Sequence, residues 1–127
     1  MRPTPVLVTL CAALVVGVIA YDISAFDAQR AAFSSSAWRE LRPALAETAD
    51  PGCVLGPMAR DLMDSGELNG KAAGQVIQLL GEPDGREGIA LIYGIGQCHG
   101  WGWHHSELVL AGSAAGRIAD VTVRRSQ

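Results

Sequence analysis

GKAAGQVIQLLGEPD, residues 70–84, decides the fold because the hydrophobic period changes at its end. Ala73, Val76, Ile77 and Leu80 stand at i, i+3, i+4 and i+7, and Lys71, Gln75 and Gln78 form the opposite face. That spacing predicts an amphipathic helix over 71–80. Residues 81–85, GEPDG, then stop it, since proline supplies no amide donor and turns the chain toward extended backbone. Beyond the stop, Ile89, Leu91, Tyr93 and Ile95 alternate with Ala90, Ile92, Gly94 and Gly96. A period of two predicts a strand. Residues 107–111 form a second apolar run, residues 112–116 (GSAAG) a turn, and 117–125 a third strand. In that strand Ala119, Val121 and Val123 alternate with Asp120, Thr122 and Arg124, so one face is expected buried and one wet.

Upstream, residues 57–65 read as a short helix. Pro57 is tolerated in its first turn, Met58 and Leu62 share a face, and Gly66 stops it. The expected class is therefore α+β: two helices packed on a three-stranded antiparallel β-meander, preceded by an N-terminal signal or anchor helix. Residues 24–46 read as a further helix, with a break at Ser34-Ser35-Ser36. Phe26, Phe33, Ala37, Leu41 and Leu45 lie near one face, and Pro43 kinks or ends it. Residues 49–52, ADPG, mark a boundary.

The chain has 127 residues, enough for one domain. Residues 6–20, VLVTLCAALVVGVIA, carry no charge and follow Arg2. About 15 apolar residues suit a signal peptide, and a full span needs about 20. Arg2 before this segment and Asp22 and Asp27 after it leave the N-terminus in the cytoplasm and send the remainder across the membrane. Two readings are favoured, cleavage after Ala20 or an uncleaved anchor, with a buried core helix as the third. The expected layout is 1–20 signal peptide or membrane anchor, 21–50 helical connecting segment and 51–127 α+β domain. The net charge is −3, or −4 without Arg2, and the chain's one lysine is Lys71. No basic stripe interleaves with aromatics, which argues against a nucleic-acid partner.

The order helix, helix, three strands, with particular residues at particular places, resembles the BamE-like (SmpA/OmlA) domain family of bacterial envelope proteins. The resemblance runs over residues 55–124. It rests on Met58-Ala-Arg-Asp-Leu62, Leu68-Asn-Gly-Lys71, Tyr93-Gly-Ile-Gly96, Glu107-Leu108 and Gly116-Arg-Ile118. Its most specific part is the pattern G-x-x-x-x-x-V-x-x-L-L-G-x-P-D over 70–84. Phe26-Asp27 and Trp38 look like the lead-in of small exported members. The resemblance implies a non-enzymatic envelope protein that binds another protein or assists outer-membrane assembly. The chain departs from the lipoprotein members: Cys11 lies inside the apolar run behind the bulky Leu10, where it is a small apolar residue rather than a lipid-attachment site.

Residues 96–105, GQCHGWGWHH, separate the first two predicted strands and hold all three histidines of the chain. Three readings compete there. In the first, Cys53 and Cys98, the two cysteines left after the leader, form a disulfide in an oxidising compartment. Closing such a loop of about 45 residues would stabilise by roughly 3–4 kcal/mol. In the second, His99, His104 and His105 bind a metal together with Cys98, although neighbouring residues on a strand point to opposite faces and the spacing matches no zinc pattern. In the third, Trp101 and Trp103 anchor a protein partner or a membrane surface. The alternative for either indole is closing off the domain's core.

No enzyme is expected. Cys98 and His99 diverge on a strand with no orienting acid. Glu82 and Asp84 flank a solvated turn. Gly94-x-Gly96 opens no helix, so no phosphate-binding loop or other cofactor site is implied. The favoured function is an envelope protein that binds another protein or a membrane surface. It would work in the periplasm or on the periplasmic side of the inner membrane, reaching the outer membrane through partners. The alternatives are a small metal-binding or stress-response protein using the His/Trp loop, and a protein inhibitor using the sheet face.

Overall fold

A computed structural model describes Phe26 and residues 28–126. Expectations on residues 1–25, including the signal or anchor helix and Cys11, lie outside the described residues. Among the described residues, no helix is long and apolar enough to cross a membrane.

The elements run α1 (Ser35–Leu41), a 3-10 turn (Arg42–Ala46), α2 (Gly56–Ser65), α3 (Ala73–Leu80), β1 (Gly85–Glu87), β2 (Ala90–His99), a 3-10 turn (Gly100–Gly102), β3 (His104–Gly112) and β4 (Ile118–Arg125). The strands form one antiparallel sheet in the order β1-β2-β3-β4. The α+β class and the meander hold, with three helices and four strands: the two expected domain helices, a short helix within the one expected over 24–46, and one strand more than the three expected.

Each added element has a local cause. Ser34 ends the predicted break by capping a new helix: its Oγ accepts the Ala37 N–H at 3.3 Å, so the helix begins at Ser35 and not at residue 24. β1 has three residues and no apolar alternation, and exists by pairing Gly85, Arg86 and Glu87 with Ile92, Leu91 and Ala90. β3 starts three residues before the predicted run, because His104, His105 and Ser106 pair with His99, Gln97 and Gly96.

Register sorts the faces. Leu91, Leu110 and Val121 lie side by side across β2, β3 and β4, as do Tyr93, Leu108 and Val123. These meet Trp38, Met58, Leu62, Leu68, Val76 and Leu80 in one core. The opposite face carries Ile92, Val109 and Thr122 in one row and Gly94, Glu107 and Arg124 in the next. There Arg124 bonds Glu107 and Glu87, and its hydrogen bonds hold the Glu87 carboxyl below its ordinary value.

Helix α1 belongs to this core, since Trp38 is fully buried in it. Ser35, Trp38, Arg39 and Arg42 stand at i, i+3, i+4 and i+7 and form one stripe. They donate to the last carbonyls of α3: Ser35 Oγ to Leu79 O (2.6 Å), Trp38 Nε1 to Leu80 O (3.2 Å), Arg39 to Ile77 O (3.2 Å) and to Gln78 O, and Arg42 to Leu80 O (3.1 Å). A helix leaves its final four carbonyls without internal donors, and its C-terminus carries partial negative charge. One helix supplies both the donors and the compensating cations to another. Arg42 also lies over the Tyr93 ring at 5.1 Å, while Tyr93 donates to Gly81 O at 2.8 Å; burial pushes its phenol up to about 12.

Candidate functional site

The far end of the β2–β3 hairpin gathers the residues the sequence singled out. Its base is a second layer of backbone laid along β2. Leu55 N–H donates to Ile95 O at 3.0 Å and Gln97 N–H to Gly52 O at 2.8 Å. The Gln97 side chain closes the same junction, accepting from Gly52 N–H at 2.9 Å and donating to Asp50 at 3.0 Å. Such close approach requires glycine at position 96, where φ is +102° and a Cβ would collide with Gly52 O and lie 2.9 Å from Val54 N. Register shifts on either side of this point bulge β2 and turn Gln97, Cys98 and His99 inward.

Cys53 and Cys98 are disulfide-bonded, with Cα atoms 4.8 Å apart. The bond ties the start of α2 to the end of β2 and packs directly on Gly56, where a Cβ would collide with Cys53 Sγ and stand 2.6 Å from Cys98 Sγ.

His99 does not join His104 and His105. Its ring is buried, with Nδ1 2.5 Å from Ser106 Oγ, and the same oxygen accepts the Cys98 N–H at 3.1 Å. Burial, then the charges of Arg125 and His104, push the His99 imidazolium below its ordinary range. The Ser106 hydroxyl bonds the His99 ring and the Cys98 backbone at once, the direction of the ring bond following the imidazole tautomer. The Ser106 hydroxyl is buried, and this pair braces the tip from within. His104 and His105 are exposed. Among the described residues, no group of three or more His, Cys, Asp or Glu side chains could hold a metal ion.

Phe26 forms a bridge with His99, their ring centroids 5.7 Å apart, and Arg60 covers the Phe26 ring at 4.4 Å while donating to its carbonyl at 3.0 Å. The stretch after Phe26 runs back along α2. Ala31 N–H donates to Pro57 O at 3.1 Å, and Asp61 accepts from Phe33 N–H at 2.8 Å and from Arg30 Nε at 2.6 Å. These two bonds lower the Asp61 carboxyl below its ordinary value.

Beyond this braced base stand the tryptophans. Trp101 is 62% exposed and Trp103 76%. Gly100, Trp101 and Gly102 take φ of +59°, +57° and +84° in succession. Glycine adopts that region freely, and a bulky aromatic pays roughly 1–2 kcal/mol for it. Neither indole closes the core; that part falls to Trp38.

Ser106 and Arg60 were not anticipated as parts of the tip. For Ser106 the available signal was its polarity at a position alternating inward with Leu108 and Leu110. Elsewhere, a cavity of about 400 Å³ is lined by Arg39, Arg42, Pro43, Leu80, Gly81 and Asp84, and one of about 230 Å³ lies on the outer sheet face around Glu107 and Arg124. The principal charges of both are already paired within the protein. No protein-family model, curated protein or solved structure matches the chain.

Proposed function

We propose that this chain is a non-enzymatic, envelope-facing binding protein whose working surface is the tip of the β2–β3 hairpin. The observation that carries this reading is the pair Trp101 and Trp103, both exposed on a turn whose base is braced by the Cys53–Cys98 disulfide and the His99–Ser106 pair. Large exposed aromatics on a pre-shaped turn lose little conformational freedom on binding and supply much apolar area. A left-handed Trp101 is strain without benefit to the core, which fits a residue kept for contact.

Three features support the envelope setting: the uncharged segment 6–20, the disulfide, which suits an oxidising space, and the resemblance of residues 70–84 to the BamE-like family. That resemblance favours a task in outer-membrane assembly, performed from the periplasm or the periplasmic side of the inner membrane. Affinity capture from membranes tests the reading, using the chain at native expression level beside Trp101→Ala/Trp103→Ala. The expected result is recovery of an envelope component that falls at least tenfold with the double variant. Equal recovery by both chains refutes the assignment of the tip.

A further inference from the structure

The tip lies beside Phe26, which follows the N-terminal apolar segment closely in sequence. Phe26 is bridged to His99, two residues before Trp101. Ala20, the last residue of the apolar segment, precedes Phe26 by six residue steps, which span at most roughly 20 Å. β2 has ten residues and is roughly 33 Å long, and the Phe26 bridge is at its tryptophan end. If residues 6–20 stay in a bilayer, the end of the sheet held beside the membrane is therefore the one carrying both indoles. The opposite end, with Ile89, is farther from Phe26 by the length of the strand.

The chemistry of that end matches a lipid headgroup layer. Indoles favour the membrane–water boundary, where the ring is shielded and the N–H stays wet. Trp101 and Trp103 are the two most exposed indoles, and the third, Trp38, is fully buried. Arg60 lies over Phe26, Arg125 pairs in register with Ser106, and His104 and His105 are exposed beside the turn. Asp50, at the base of the tip, is hydrogen-bonded to Gln97, and Glu107, next to Ser106 on β3, is paired with Arg124. Basic and aromatic side chains together suit a surface bearing phosphate groups.

We propose that the Trp101–Trp103 turn docks in the headgroup layer of the bilayer that holds residues 6–20, so that the domain is clamped to the membrane at two adjacent points. This deepens the proposed function by naming the occupant of the tip as lipid, and it rests on that reading and on retention of the anchor.

The test uses the full chain in vesicles of phosphatidylcholine with a minority of phosphatidylglycerol, made with lipids brominated high on the acyl chains. Bromine quenches indoles lodged at the boundary. The expected result is loss of tryptophan emission approaching the share of the two tip indoles among the chain's three, with blue-shifted emission. Trp101→Phe/Trp103→Phe, which keeps ring bulk and reports from Trp38 alone, should show almost no quenching while the disulfide and circular dichroism stay unchanged. A chain that floats with the vesicles while its indoles are quenched only by aqueous iodide overturns the proposal and leaves the envelope-facing function standing. A mature chain from native membranes whose intact mass lacks residues 1–20 also overturns it, as does capture of the tip by a protein in place of lipid; both leave the broader reading in place.

Discussion

Removing the Cys53–Cys98 bond tests both the energetics of the fold and the construction of the tip. The bond spans 45 residues in sequence, and closing a loop of that length removes about 4 kcal/mol of chain entropy from the unfolded state. For a domain near one hundred residues, Cys53→Ala/Cys98→Ala should lower the midpoint of thermal unfolding by roughly 15–30 °C. Urea unfolding followed by far-UV circular dichroism, without reductant, gives the free-energy difference directly. A loss below about 1 kcal/mol would refute the entropic argument. Gly56 sharpens the test. A Cβ at this position meets both sulfur atoms. Gly56→Ala should therefore destabilise the bonded protein by about 1–3 kcal/mol through overpacking. In the Cys53→Ala/Cys98→Ala background the collision is gone, and the same change at the start of α2 should be neutral or stabilising by up to about 1 kcal/mol. The two changes are thus expected to couple by about 2 kcal/mol. An equal cost of Gly56→Ala in both backgrounds would show that the sulfurs do not fill this space.

Other outcomes follow from the same structure. Trp38→Ala should destabilise by about 3–5 kcal/mol, because it empties the core and removes a donor from the end of α3, and Arg42→Ala should cost about 1–2 kcal/mol by urea unfolding. Trp101→Gly should leave stability unchanged or raise it by up to about 1 kcal/mol, since glycine accepts φ of +57°, while contact at the tip is lost. His99 has its folded value depressed, so the unfolded chain takes up the proton first. Stability should be fully present above pH 6.5 and fall as acidification proceeds from there toward the folded value; His99→Phe should flatten that slope in urea titrations at stepped pH. Asp61 is also depressed and adds a second, more acidic window below its ordinary value of 3.8, which Asp61→Asn should remove.

What was legible in the sequence is what local pattern controls. The apolar period of α3 and its stop at Gly81 are visible in residues 71–85. So are the helix ended by Gly66 and the alternating strands around Tyr93 and Val121. β1 was not legible, because Gly85, Arg86 and Glu87 owe their conformation to pairing with β2. The role of α1 was hidden for a related reason. The spacing of Ser35, Trp38, Arg39 and Arg42 showed a stripe of donors, while their acceptors lie about forty residues away on α3. At the tip, the cysteine pairing followed from counting the thiols outside residues 6–20 and from the expectation of an oxidising space. The histidine cluster did not separate in the sequence, because a bulge in β2 sends His99 inward and leaves His104 and His105 outside. Gly96 and Gln97 read as ordinary loop residues. Their function is to admit and bind Gly52, a contact that exists only in three dimensions.

The central claim is that the tryptophan turn is the contact surface of this chain. Its most direct test is site-specific photo-crosslinking in native membranes, with the photoreactive residue placed at Trp103 or, as control, at Asp120, which is exposed on β4. Adducts to an envelope component, lipid or protein, are expected from position 103 and absent from position 120. No adduct from position 103, or equal yields from the two, would contradict it.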